Sequence, residues 1–127
     1  MSDSDPGVTF GYAARELDRF GLAYLHVVEP LERYPGMVDP VAHRLRASFG
    51  GPFILNGAYT REAGDAAIAG GEADLVSFGA LFLANPDLPE RFAEGAPLNT
   101  PDRSTFYGGD ARGYIDYPTR DAVTAMA

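Results

Sequence analysis

An α/β fold with parallel strands is the class this sequence predicts, and three observations predict it. Helical patterns and short apolar runs alternate three times along the chain. Strands separated by helices pair in parallel through right-handed crossovers. The run Phe53-Ile54-Leu55 is continuously apolar, as strands covered on both faces are. From Pro97 onward the alternation gives way to a Pro-, Gly- and Tyr-rich tail with neither a helical nor a strand period.

Asp5 is placed to cap a first helix, with Pro6 at its first position. Phe10, Ala13, Ala14 and Leu17 then follow the i, i+3, i+4, i+7 rule, while Arg15, Glu16, Asp18 and Arg19 face away. Gly21 ends this helix. Leu22 to Val28, with its β-branched and aromatic members, reads as a buried strand, and a loop follows through Tyr34-Pro35-Gly36. Asp39 caps a second helix starting at Pro40, with Val41, Leu45 and Phe49 four apart on one face and Arg44 and Arg46 near the negative end of its dipole. Gly50-Gly51 terminates it. Pro52 to Asn56 is the second strand, Thr60 to Gly70 the third helix and Ala73 to Ser77 the third strand, followed by short helices and the tail. Tyr107, Tyr114 and Tyr117 are expected to pack on a surface that the rest of the fold provides, because an irregular segment gains stability by burying its rings.

Composition removes several classes. A net charge of −8 opposes both the phosphate backbone of nucleic acids and an anionic membrane surface, so neither is expected as a partner. No run approaches the apolar length of a membrane span, and Met1 is followed by Ser2-Asp3-Ser4-Asp5 rather than by a basic and then apolar leader; the chain reads as cytoplasmic. The absence of cysteine excludes disulfides and iron–sulfur clusters, and His26 and His43 leave little material for a metal site, so no metal is expected.

The ends of the second and third strands carry Asn56-Gly57-Ala58 and Phe78-Gly79-Ala80, small residues where a strand turns towards a helix. Glycine there permits close backbone approach, and backbone N–H groups can hold a phosphate whatever the overall charge. A glycine after a strand is equally an ordinary turn, and spacing alone leaves both readings open. His26, on the same side of its strand as Tyr24 and Val28, reads as structural. His43 reads as solvent-facing, Asp74 as a polar residue at a strand start, and Asp110, Arg112 and Asp116 as solvated tail charges. No residue is assigned a catalytic role.

Three ordered blocks carry a resemblance: GLAYLHVVEP at 21–30, GPFILNGAYT at 51–60, and the segment from Ala73 that contains FLANPDLPERF, PLN, and FYGG followed by GYIDYP. Together they resemble the C-terminal end of the old yellow enzyme family of FMN-dependent ene-reductases, in particular the subgroup with the nitrate-ester, maleimide and oxophytodienoate reductases. The resemblance covers most of 3–118. It implies the last three parallel β/α units of a (β/α)₈ TIM barrel, an incomplete barrel with an irregular tail, forming one domain with no separate second domain. It also implies that the sequence is the C-terminal portion of a longer enzyme.

Carried over by position, Asn56, Gly57 and Ala58 match the loop after the seventh strand, whose backbone contacts the FMN phosphate and ribityl region. Phe78, Gly79 and Ala80 match the loop after the eighth. Tyr107 matches an aromatic residue lining the flavin and substrate pocket. The family commonly has arginine, paired with the phosphate, where Ala80 stands. FMN and, as reductant, NAD(P)H are the implied cofactors, and an activated alkene such as an enone the implied substrate.

The family's substrate-binding and proton-donating residues come from earlier strands, and none is matched here. The isolated chain is therefore expected to be inactive unless it meets a complementary N-terminal barrel half. Two other readings stay open: a flavin-free half-barrel that self-associates through its open sheet edges, and a small α/β domain binding a phosphate-bearing ligand at the Gly57 and Gly79 loops.

Overall fold

Asp5 caps the first helix as its place before Pro6 requires: its Oδ1 accepts from the Val8 N–H at 3.1 Å, and helix α1 runs Pro6–Asp18. The computed structural model describes residues 4–29, 41–108 and 110–121. The expected turn at Tyr34-Pro35-Gly36 and the Asp39-Pro40 cap lie outside the described residues. The chain divides into two compact units, Met1–Ser77 and Phe78–Ala127.

In the first unit the expected alternation is present: α1, β1 (Leu25–Val28), α2 (Val41–Arg46), β2 (Phe53–Asn56), α3 (Arg61–Ala69) and β3 (Leu75–Ser77). Gly21, at φ 61°, supplies the left-handed turn that lets the chain leave α1. Thr60 caps α3 through its side chain, and Gly70 closes it. The strands form one parallel sheet in the order β1-β2-β3, with Leu25 opposite Phe53, Leu55 opposite Val76 and Asn56 opposite Ser77.

The core lies on one face of this sheet. Phe53 and Leu55 meet Ala14, Ala42, Leu45, Phe49 and Ala73, with Leu25, Val27, Val41 and Tyr59 packed around them. On the opposite face Tyr24, His26, Val28 and Leu75 are exposed. The two-residue period of the strands is thus fully expressed in β1.

Of the apolar stripe expected on α1, Ala14 is buried and Ala13 half-buried, and the structure corrects the other two members. Phe10 and Leu17 are 51% and 37% exposed, and the buried residues of α1 are Gly11 and Ala14. The helix packs on α2, and small residues at a contact let two helices approach where large ones hold them apart. Helix α2 itself is short, but Leu45 and Phe49 are buried as their spacing predicts.

In the second unit, α4 (Ala80–Ala84) and α5 (Leu88–Glu94) precede the tail, which has one short 3₁₀ turn at Arg103–Thr105. Of the three tail tyrosines Tyr117 is half-buried, while Tyr107 is 97% and Tyr114 45% exposed, and polar bonds hold the segment. Asn85, fully buried, donates to the Leu81 and Asn99 carbonyls and accepts from the Asn99 N–H at 2.7 Å. Asn99 in turn donates to the Ala84 and Pro118 carbonyls, each at 2.8 Å. Arg91, 4% exposed, pairs with Asp87 at 2.7 Å and donates to the carbonyls of Pro97 and Pro118. Fixed polar partners replace the apolar surface that the sequence led one to expect, since the backbone carbonyls of an irregular segment need hydrogen bonds of their own. Among the described residues no helix is long and apolar enough to cross a membrane.

Candidate functional site

Asn56 closes β2, and its side-chain amide donates to both the carbonyl and the hydroxyl oxygen of Ser77, each at 2.9 Å. The Ser77 Oγ also lies 2.9 Å from His26 Nε2, a hydrogen bond that either imidazole tautomer can complete. One hydroxyl therefore joins side chains of all three strands at the end of the sheet where β2 and β3 finish. At the other end, Asp74 accepts from the Phe53 N–H at 2.8 Å and meets Arg46, which also donates to the Gly51 carbonyl. Both ends of β2 are thus pinned by side chains.

Pinning places the turn that follows. Only Gly57, Ala58 and Tyr59 separate Asn56 from the Thr60 cap of α3. Tyr59 packs against the core, and burial, then Glu29 and Glu72, push its phenol above the ordinary value. Gly57 is half-buried and Ala58 exposed.

In the second unit Phe78 packs edge-on to Phe92, with ring centroids 5.2 Å apart. Gly79 and Ala80 are exposed. Gly79 is the N-cap of α4 and provides no side-chain cap, so the first-turn N–H groups have no side-chain acceptor there. Neither Gly57 nor Gly79 has a positive φ, so the conformational freedom of glycine is not what either turn uses. A Cβ at Gly79 would meet nothing within 4 Å. The fold itself does not demand glycine at that position, and what the residue offers is bare backbone.

These donors fit an anionic oxygen: uncapped N–H groups on an exposed turn without a side chain in the way. They fit only the neutral part of a phosphate site, since Ala80 contributes no cation. Asn56 has its side-chain amide engaged by Ser77 and its carbonyl by the Glu29 N–H at 2.9 Å. Tyr107 projects from the tail at φ 59°, with its N–H donated to the Tyr114 hydroxyl at 3.1 Å. Asn56, Gly57 and Ala58 belong to the first unit, and Phe78, Gly79, Ala80 and Tyr107 to the second. Among the described residues no cluster of three or more His, Cys, Asp or Glu side chains is arranged to hold a metal ion.

The sequence reading missed two things. The roles of Ser77 and His26 as a joint between strands carry no period signal. The polar network of Asn85, Asp87, Arg91 and Asn99 lies within the NPDLPER and PLN motifs, whose residue types were visible although their partners were not. Asp110 and Asp116 are not merely solvated: they accept from the N–H groups of Arg112 and Gly113 at 2.9 and 2.7 Å and shape the tail.

A three-stranded parallel sheet with intervening helices defines an α/β protein and is consistent with part of an α/β barrel. Comparison with known proteins makes this specific. The chain belongs to the NADH:flavin oxidoreductase / NADH oxidase family, whose model matches residues 8–99, and the old yellow enzymes are among its relatives. It is 49% identical over 126 residues to 12-oxophytodienoate reductase 1 of Oryza sativa subsp. japonica, and 44% over 125 residues to 12-oxophytodienoate reductase 2 of Arabidopsis thaliana. Each alignment covers 95% of this chain and 33% of the relative. Among solved structures, morphinone reductase superposes with a TM-score of 0.82 at 46% identity, covering 94% of this chain and 33% of that one. The old yellow enzyme from Trypanosoma cruzi superposes with 0.85 at 38% identity, covering 94% and 32%. The chain spans about a third of the length of the curated relatives it matches.

Proposed function

We propose that this chain forms the last three β/α units of a flavin-dependent ene-reductase barrel and supplies the phosphate end of its FMN site, as part of one barrel domain. The observation that carries the reading is that, among the described residues, one face of the β1-β2-β3 sheet is exposed and its outer strands are paired on one side only. A parallel sheet is normally covered on both faces, and its outer strands need partners for their backbone groups. A complementary barrel segment, in the same polypeptide or in another, provides both.

In this reading the backbone of Gly57-Ala58 and of Gly79-Ala80 holds the phosphate and ribityl region of FMN, and Tyr107 lines the flavin and substrate pocket. Ser77 and Asn56 keep the strand ends in register beneath the first of those turns. When bound, FMN supplies the relay of hydride from NAD(P)H to an activated alkene such as an enone. The groups that hold the alkene and give its proton belong to the complementary segment. The chain by itself is inactive, because catalysis needs groups held to a fraction of an ångström by a closed scaffold.

The test is reconstitution. Mixed with the strand one-to-five segment of a related reductase and FMN, the chain is expected to yield a yellow complex that oxidises NADPH in the presence of an enone. A colourless mixture overturns the reading. The same open edges favour a second one, in which the chain associates with itself and carries no flavin. That reading predicts a cofactor-free oligomer on size exclusion, and a monomer removes it.

A further inference from the structure

We infer that Tyr114 is the positioning residue that holds Tyr107 in a left-handed backbone conformation and so presents its ring outward; the purpose of that presentation rests on the reading of Tyr107 as a pocket residue. Tyr107, at φ 59°, is the one non-glycine residue at positive φ among the described residues. Such a conformation is costly for a bulky L-residue. The next residue, Gly108, could adopt it without cost, yet it is not at positive φ. The ring is 97% exposed, with the neighbouring Phe106 ring edge-on at 6.1 Å. A strained residue whose own side chain is left in solvent is the pattern from which a functional role is inferred.

The strain is held by a built scaffold. The Tyr107 N–H donates to the Tyr114 hydroxyl at 3.1 Å. Tyr114 is itself fixed by a turn, since its N–H and that of Ile115 both donate to the Ala111 carbonyl at 3.1 Å. Asp116 holds the preceding Gly113 N–H at 2.7 Å. Gly113, at φ 78°, lies so close to the other limb that a Cβ there would sit 2.0 Å from Thr105 Oγ1. Thr105 is anchored to the Asp102 carbonyl at 2.8 Å, and the Asp102 N–H donates to the Tyr117 hydroxyl at 2.8 Å. Two limbs of the tail are thereby fixed against each other, and the Tyr114 phenol is the link that reaches Tyr107. An exposed, pre-oriented aromatic ring suits a planar conjugated ligand, with which it can stack at little ordering cost.

The test uses the whole chain, isotope-labelled, in solution. In the wild type, Tyr107 is expected to show the Cα and Cβ shifts and the three-bond amide coupling of a left-handed residue, with a nuclear Overhauser contact from its N–H to the Tyr114 ring. In Tyr114→Phe the left-handed signature is expected to disappear and the Tyr107 amide to exchange roughly tenfold faster, the scale of one lost hydrogen bond. Tyr117→Phe removes a phenol of the same kind from the base of the loop, and is expected to alter Asp102 while leaving the Tyr107 signature in place. A negative φ at Tyr107 in the wild type overturns the inference. So does a Tyr114→Phe chain that keeps the left-handed signature, or a Tyr117→Phe chain that loses it equally. If Tyr114→Phe does not fold, the wild-type Overhauser contact decides: its presence supports the assignment and its absence ends it. None of these signals needs flavin, so a failed reconstitution leaves them standing, and their failure leaves the barrel reading untouched.

Discussion

The Asn56 side chain reaches across the sheet to Ser77 and donates to both of its oxygens at 2.9 Å, locking the ends of β2 and β3 to each other. Because Ser77 also meets His26, the register of three strands converges on one hydroxyl.

Removing that joint should loosen the strand ends without disturbing the core, which lies on the opposite face. Asn56→Ala is expected to lower stability by about 1–2 kcal/mol, the loss of two hydrogen bonds that are only partly shielded from water. Urea denaturation measures it, and hydrogen exchange should show the effect at the ends of β2 and β3 rather than at Phe53.

Arg91 is the most consequential side chain of the second unit. Arg91→Met keeps most of the volume but leaves Asp87 without its guanidinium and the Pro97 carbonyl without this donor. Breaking a buried ion pair from one side is costly, and the expected destabilisation is about 3 kcal/mol. Limited proteolysis should then cut between 97 and 118, where the wild type resists.

The same cluster sets an acid limit. Burial pushes the Asp87 carboxyl up, but hydrogen bonds from the Arg120 N–H and from Arg91 outweigh it and leave the group below its ordinary value of 3.8. A carboxylate with a lowered folded pKa contributes stability that is complete above the unfolded value and is lost as pH falls through the folded one. Melting followed from pH 6 down to pH 2 should therefore show a loss that begins below about pH 4. Asp87→Asn should start from a lower stability and flatten that acid limb.

Restoring a cation tests the cofactor reading. Ala80→Arg adds a guanidinium beside the bare backbone at Gly79, and a charge-assisted bond is worth about 1.5–3 kcal/mol. In the reconstituted protein, flavin fluorescence titration should show FMN binding tightened about tenfold or more. Unchanged affinity would place the phosphate elsewhere.

Much of this architecture was legible because caps and periods are local. Asp5 before Pro6 and Thr60 at the start of α3 each state their structure within a few residues, whereas Leu22 to Val28, read as a buried strand, is β1 from Leu25 with His26 and Val28 exposed. The buried face of α1 was only partly legible because Phe10 and Leu17 have the right spacing yet are exposed, while buried Gly11 has no side chain to signal it. The bonds that hold the tail were illegible for a different reason. Their partners lie 6 to 33 residues apart, and several acceptors are backbone carbonyls, which every residue possesses. The turns at Gly57 and Gly79 were placed from spacing, and neither glycine has a positive φ.

Arg91 grips the chain at Pro97 and again at Pro118, so everything between them is a detour that leaves and returns to one mooring. Asn99, near the start of the detour, is bonded to Ala84 and Asn85, so it is beyond Asn99 that changes of length or sequence need not reach the helices. The excursion can therefore vary in length while both of its anchor points stay in place.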